Sequence, residues 1–274
     1  MLGIALCGLL AIQALRRQVR RRREDRLRAL AASNGLDYSP ISEWLEASAL
    51  INGAANRRII DEFCGTDAAG TVRLGTLSFN VERASVQITE SWSFLAQTVP
   101  GAPLPHILLL SQNESGRSLP ASLDPRQKML LEGDFPKYFD IYCSPGAERD
   151  ALYILTPDLM ASLADNAGFS SLEIIDNTVL FFTPGRFDPE DPAQWRRSLR
   201  MLSSVGADTL KRVRRFNRSQ YSNSTRTQQH QPDSASSARK RLVTSLGRSN
   251  RSTQIVEATC AAVVAAAFVW ASLR

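Results

Sequence analysis

The chain offers chemistry few places to occur. Its two histidines are His106 and His230, and the second stands in a polar, serine-rich stretch with almost no apolar residues. His106 is therefore the one imidazole set among residues able to enclose it. A thiolate of Cys64 or Cys143 activated by His106 would make a nucleophilic pair. A single histidine that opens the apolar run HILLLS at 106–111 is instead expected to serve the core. Without CxxC spacing or further histidines, a zinc site or a Ser-His-Asp relay lacks material. The phosphate-cradling, dinucleotide, zinc-protease and nucleophile-elbow patterns do not occur.

The densest polar cluster is Glu132, Asp134, Asp140, Glu148, Asp150 and Asp158. Paired carboxylates bind divalent cations or act as general acid and base, but these follow no EF-hand or other fixed ligand spacing. They are expected at caps, turns and solvated surface, with Asp134, Asp140, Glu148 and Asp150 as a candidate binding surface. No catalytic residue, metal ligand or cofactor is expected.

The elements around these residues are legible from periodicity and punctuation. Residues 20–34 continue a helical pattern, with Leu27, Leu30 and Ala31 on one side and Gly35 placed to end it. Ser39-Pro40 is expected to introduce a short helix over 41–51, in which Ile41, Trp44, Leu45 and Ser48 share a face. Between Arg58 and Leu95, short runs interrupted by Gly65, Gly70 and Gly75 predict antiparallel strands. HILLLS and YFDIYC (138–143) are strand patterns, the second with Phe139, Ile141 and Cys143 alternating inward. Thr156, Pro157 and Asp158 open a helix running to Ala167. LEIID and VLFFT, split by Asn177-Thr178, predict a hairpin with Leu172, Ile174, Leu180 and Phe182 on its inner face. Asp191-Pro192 opens a last helix with Trp195, Leu199, Leu202, Leu210 and Val213 on its apolar side.

At 274 residues and 43% hydrophobic, the chain is neither a disulfide-stapled miniature nor disordered throughout. Its net charge of +6 is unevenly placed. Residues 16–28 hold eight arginines against Glu24 and Asp25, residues 29–210 hold 13 basic against 23 acidic groups, and residues 211–251 hold 11 basic groups against Asp233. Two basic arms thus flank an acidic body, and each arm adjoins an apolar segment.

Those segments are residues 1–15 and 255–273. The second, 19 residues with Glu257 at its entrance, is long enough to cross a bilayer core of ~30 Å. The first covers about 22 Å before Arg16, which is marginal. Its positive charge follows the apolar stretch, the reverse of a cleaved signal peptide, so it is expected to remain as an anchor. Both basic runs face the middle of the chain, and the positive-inside rule then places that middle in the cytoplasm with both termini outside. Cys64 and Cys143, far apart, suggest no disulfide framework and suit a reducing compartment.

One block carries a resemblance. Leu131-Glu132-Gly133-Asp134-Phe135, Tyr138-Phe139, Tyr142, Pro145-Gly146, Glu148-Arg149-Asp150-Ala151-Leu152 and Leu155-Thr156-Pro157-Asp158 with Met160 are similar to a block of an uncharacterised family of bacterial membrane-associated proteins, and ALAASNGLDY (29–38) is similar to that family's opening helix. The likeness covers residues 26–206; Ala147 stands where the pattern has an aromatic residue. It implies an α+β cytoplasmic domain attached to one or more spans and brings no catalytic residues.

The expectation is an α+β fold, a mostly antiparallel sheet packed with a few helices and flanked by N- and C-terminal transmembrane helices. Its parts are an anchor (1–15), a basic juxtamembrane helix (16–34), the α+β domain (35–216), a basic flexible linker (217–251) and a C-terminal span (252–274). The expected role is a non-enzymatic scaffold, sensor or binding module at the inner (plasma) membrane, acting on an unknown protein partner in an unknown oligomeric state. Arg16, Arg17, Arg20, Arg21, Arg22 and Arg23 on one arm, and Lys211, Arg212, Arg214 and Arg215 on the other, would meet anionic lipid, each contributing about 1 kcal/mol. Nucleic-acid binding by the basic arms is a competing reading, weakened because Phe216 and Tyr221 are the linker's only aromatic residues for stacking. A membrane-tethered enzyme using the acidic block is the third.

Overall fold

The computed structural model describes residues 2–44, 48, 50–51, 53–67, 70–83, 85–98, 104–114, 121–168, 170–206, 209, 212, 215 and 244–245. The chain divides into two compact units, Met1–Thr244 and Ser245–Arg274. The linker expected at 217–251, apart from Thr244–Ser245, and the apolar segment 255–273 lie outside the described residues.

The first unit opens with α1 (Leu2–Ser33), one unbroken helix of 32 residues that joins the apolar segment to the arginine run. It ends where glycine permits. Gly35 sits at φ +68°, its amide donates to Ala32, and the Leu36 amide reaches back to Ala31, a paired closure that needs a left-handed residue just past the helix. An N-terminal membrane span was expected here, but among the described residues no helix is long and apolar enough to cross a membrane. The reason is local: arginines from Arg16 onward cut the apolar stretch of α1 short.

Among the described residues up to Pro184 the strands are β1 (Asp37–Glu43), β2 (Ala55–Asp67), β3 (Gly70–Arg83), β4 (Val86–Thr98), β5 (Leu104–Ser111), β6 (Ser122–Leu123), β7 (Lys128–Met129), β8 (Phe139–Cys143), β9 (Ser171–Asp176) and β10 (Thr178–Pro184). All but β6 form one sheet in the order β1-β2-β3-β4-β10-β9-β5-β8-β7, antiparallel at every pairing. Helices α2 (Glu148–Ile154), α3 (Pro157–Ala167) and α4 (Pro192–Met201) accompany the strands. The fold is α+β, a mostly antiparallel sheet with a few helices.

Both faces of the sheet are buried. On one, Leu27 and Ala31 of α1, Ile154 of α2, and Leu159 and Leu163 of α3 cluster with Phe63, Leu95, Ile107, Ile141, Leu172 and Phe181. On the other, Trp44, Leu50 and Ile51 cluster with Ile59, Leu77, Phe79, Trp92, Phe94, Leu108 and Phe182. Trp92 and Phe182 stack at 5.0 Å with planes 8° apart.

Several expectations need correction. Residues 41–43 belong to β1, not to a helix; β1 is an edge strand, where proline's missing N–H at Pro40 costs no ladder bond, and Ile41 pairs with Ile60. Gly65 and Gly75 lie inside long strands instead of ending short ones. Leu172 and Ile174 face one core and Leu180 and Phe182 the other, because antiparallel partners share a face and Leu172 pairs with Phe181. Thr156 holds the N-cap position of α3 without a side-chain cap bond, whereas the Asp191 carboxylate accepts from the Ala193 amide at 2.8 Å as a cap should. Helix α4 ends at Met201 and passes into a π turn (Leu202–Gly206); Leu199 is exposed, and Leu210 and Val213 lie outside the described residues.

Candidate functional site

The arginine run of α1 meets the sheet at a β-bulge. Ile60 pairs with Thr76 and Phe63 with Leu74, so β2 carries one residue more than β3 across this interval. The extra residue reverses the alternation of β2, which puts Ile59 in one core and Phe63 in the other. Asp61 adopts φ +53° within the bulge. Gly75 opposes it, and a Cβ there would stand 2.9 Å from the Asp61 carbonyl oxygen and 3.2 Å from Glu62 Cα.

The bulge aims the Asp61 carboxylate at α1. Arg23 donates through Nη1 and Nη2 to Asp61 Oδ1 and Oδ2 at 3.0 and 2.9 Å, and the Tyr38 hydroxyl donates to Oδ1 at 2.7 Å. Burial works to raise the Asp61 pKa, but the bonds from Arg23 and Tyr38 outweigh it and the carboxyl lies below its ordinary value. Burial, together with the bond to Asp61, pushes the Tyr38 phenol up. Next to this trio, Arg20 Nε donates to Glu24 Oε1 at 2.7 Å.

Around the trio opens a cleft of about 350 Å³ between α1, β1, β2 and the turn after β10. Arg20, Arg23, Arg58 and Arg186 line it with Glu24 and Asp61, and Pro40, Ile41 and Ile60 supply apolar wall. Arg58 and Arg186 are exposed. On another side of α1 lies a larger, mostly apolar groove of about 730 Å³, in which Leu27, Leu30 and Leu36 meet Pro192, Trp195 and Leu199. The ion pair Arg26–Glu190, at 2.9 Å, joins two of its lining residues.

The expected membrane-surface residues separate into groups. Arg16, Arg17, Arg20, Arg21 and Arg22 are exposed on α1, whereas Arg23 is turned into the trio. Arg212 lies 3.3 Å from Asp158 at the start of α3, Arg215 is exposed, and Lys211 and Arg214 lie outside the described residues.

The acidic block does not converge. Asp134 is exposed beside Lys137 at 2.7 Å, and that bond holds its carboxyl below the ordinary range. Asp140 bonds Lys128 Nζ and Gln112 Nε2, each at 2.8 Å. Glu148 Oε1 accepts the Gly146 amide at 3.1 Å in the first turn of α2, where Asp150 also sits. Among the described residues no three His, Cys, Asp or Glu side chains are arranged to hold a metal ion.

His106 pairs with neither thiol. Its Nε2 hydrogen-bonds Glu173 Oε1 at 2.7 Å, and the Ser48 hydroxyl donates to Oε2 at 2.6 Å, all three side chains being buried. Cys143, opposite Ile107 on β5, belongs to the other core. Burial there pushes its thiol up to about 11, the wrong direction for a nucleophile.

Sequence reasoning missed Tyr38, Asp61, Arg58 and Arg186. The RRIID run at 57–61 holds two of them, and only the unforeseen bulge makes that cluster meaningful. Arg186, beyond the hairpin, gives no local signal.

No family model matches the chain, and no curated protein does. Among solved structures it is similar to the crystal structure of the mycobacterial trehalose monomycolate transport factor A, TtfA, with 15% identity and a TM-score of 0.44 over 70% of this chain and 93% of that one.

Proposed function

We propose that this protein is a non-enzymatic binding module held at the inner face of a plasma membrane, with its α+β domain in the cytoplasm. The observation that carries the reading is the form of α1. Leu10, Ile12 and Leu15 are each more than half exposed on a helix that continues without a break into an arginine collar. Apolar side chains displayed in this way suit a lipid interior better than water. The collar suits anionic headgroups.

In this reading the first 15 residues enter the bilayer without crossing it. The apolar stretch at 255–273 has the length and composition for a crossing, and the charge of the basic segment 217–251 suits anionic headgroups. His106 and Ser48 both bond the central Glu173 in the core, an arrangement with the carboxylate and not the imidazole in the middle, which suits a structural role.

Alkaline carbonate extraction of cell membranes tests the attachment: the full-length chain stays in the pellet, and its recovery in the supernatant without detergent overturns the reading. Topology is tested in a Cys7→Ser/Cys260→Ser background. A membrane-impermeant thiol reagent labels the half-buried Cys64 only after the cells are opened. Labelling in intact cells would place the domain outside.

A further inference from the structure

The arginine-lined cleft between α1 and the edge of the sheet has more cation than its own carboxylates use. Arg20 is engaged with Glu24 and Arg23 with Asp61. The other two guanidinium groups, Arg58 and Arg186, are exposed and make no ion pair among the described residues, although Arg186 acts on Asp61 through space and Glu43 stands opposite Arg58 in the β1–β2 pairing. They come from elements far apart in the chain, β2 and the turn after β10, and line the same 350 Å³ space.

Guanidinium presents its donors in a planar fork that matches two oxygens of a phosphate, and it is less strongly hydrated than an ammonium group. Four such groups around a concave space, facing two carboxylates already satisfied, leave a local surplus of positive charge. Ile41, 55% exposed, and Pro40 add an apolar wall beside it, suited to the carbon skeleton of an ester.

From this we propose that the cleft is a binding site for a phosphate ester, with Arg58 and Arg186 as the groups that grip it and Arg20 and Arg23 as the fixed positive background. The same group is offered by an anionic phospholipid and by a soluble phosphate compound. The phospholipid assignment rests on the membrane reading above and gains from position. Arg20 and Arg23 follow Leu15 by five and eight residues, a rise of about 7.5 and 12 Å along the helix. A headgroup layer begins where the hydrocarbon ends and is roughly 5–7 Å deep. With α1 upright and immersed to Leu15, Arg20 would stand at the outer edge of that layer and Arg23 beyond it, so the mouth of the cleft meets the lipid phosphates only with the helix tilted toward the membrane plane.

The test uses the full-length chain, floated with vesicles of phosphatidylcholine alone and with added phosphatidylglycerol, and titrated separately with glycerol phosphate by calorimetry. Two double variants each remove two charges: Arg58→Gln/Arg186→Gln in the cleft and Arg16→Gln/Arg17→Gln on the collar outside it. All four positions are exposed, and unchanged melting temperatures confirm that both variants fold. The site predicts that the cleft variant loses at least about threefold more affinity for phosphatidylglycerol vesicles than the collar variant. Equal losses would show a diffuse charge effect and overturn the site while leaving membrane attachment intact. If the wild-type chain floats with no vesicle, the membrane reading fails. Glycerol phosphate binding that vanishes in the cleft variant then supports a soluble ester as ligand, and no binding overturns the site as well.

Discussion

Arg23 and Asp61 face each other in a two-point ion pair, both guanidinium Nη atoms on both carboxylate oxygens at 2.9–3.0 Å, and so join α1 to the second strand of the sheet. Asp61 is nearly enclosed while Arg23 remains about one-third exposed, so solvent screens part of the attraction. Asp61→Asn and Arg23→Gln are each expected to lower stability by about 1–3 kcal/mol, with the double variant costing clearly less than their sum. A urea-denaturation cycle measures this; strict additivity would mean that the pair contributes nothing as a pair.

The same pair sets a pH window. The folded Asp61 carboxyl lies below its ordinary value near about 4. Its contribution is therefore present above that pH and disappears as pH falls through the lowered folded value. Tyr38, raised in the fold, behaves oppositely: its contribution is complete below about pH 10 and is lost as pH climbs through the raised folded value. Protection of the residue 24–33 amides, taken relative to their intrinsic exchange rate at each pH, should fall at both limits. Asp61→Asn should flatten the acid limb, and an unchanged acid limb in that variant would assign the loosening to other groups.

Two glycines in neighbouring strands are expected to respond differently. At Gly75 an added Cβ meets backbone atoms, the Asp61 and Ile60 carbonyl oxygens and Glu62 Cα, within 2.9–3.2 Å. At Gly65 the nearest atom, at 2.6 Å, is the tip of the Leu36 side chain, which can rotate away. Gly75→Ala should cost about 1–3 kcal/mol and Gly65→Ala distinctly less. Thermal melts of the two variants rank them, and the reverse order would mean that the bulge yields more easily than the packing around Leu36.

In the second core, Glu173 accepts from Ser48 and hydrogen-bonds His106 where no side chain of the three reaches solvent. Glu173→Ala leaves two buried polar groups without this partner and should lower stability by at least about 2 kcal/mol. Ser48→Ala should cost about 1 kcal/mol. Equilibrium unfolding decides it: near-wild-type stability for Glu173→Ala would show that water or another group replaces the carboxylate at little cost.

Alternation and punctuation made much of the fold readable. YFDIYC, HILLLS and the Pro157 and Pro192 helix starts announce themselves locally, because their side-chain pattern and their burial agree; the Asn177 hairpin is legible as a turn but not in its facing, since both sides of its strands are buried. β1 did not, since Ile41, Trp44 and Leu45 happen to fall at helical spacing and only pairing with β2 decides the outcome. Gly65 and Gly75 looked like strand ends because close approach by another chain segment is invisible in one dimension. The candidate site failed for a related reason. Its arginines could be counted, but which of them is consumed internally depends on the bulge at Asp61, and a one-residue insertion leaves no periodic trace.

The uninterrupted course of α1 gives the molecule a lever. A rod about 48 Å long, bolted to the sheet near its inner end, transmits any torque applied to its outer turns. Whatever grips the first half of that rod also steers the edge strand, the bulge and the cleft beside them, so orientation and occupancy at this end of the protein would be mechanically linked.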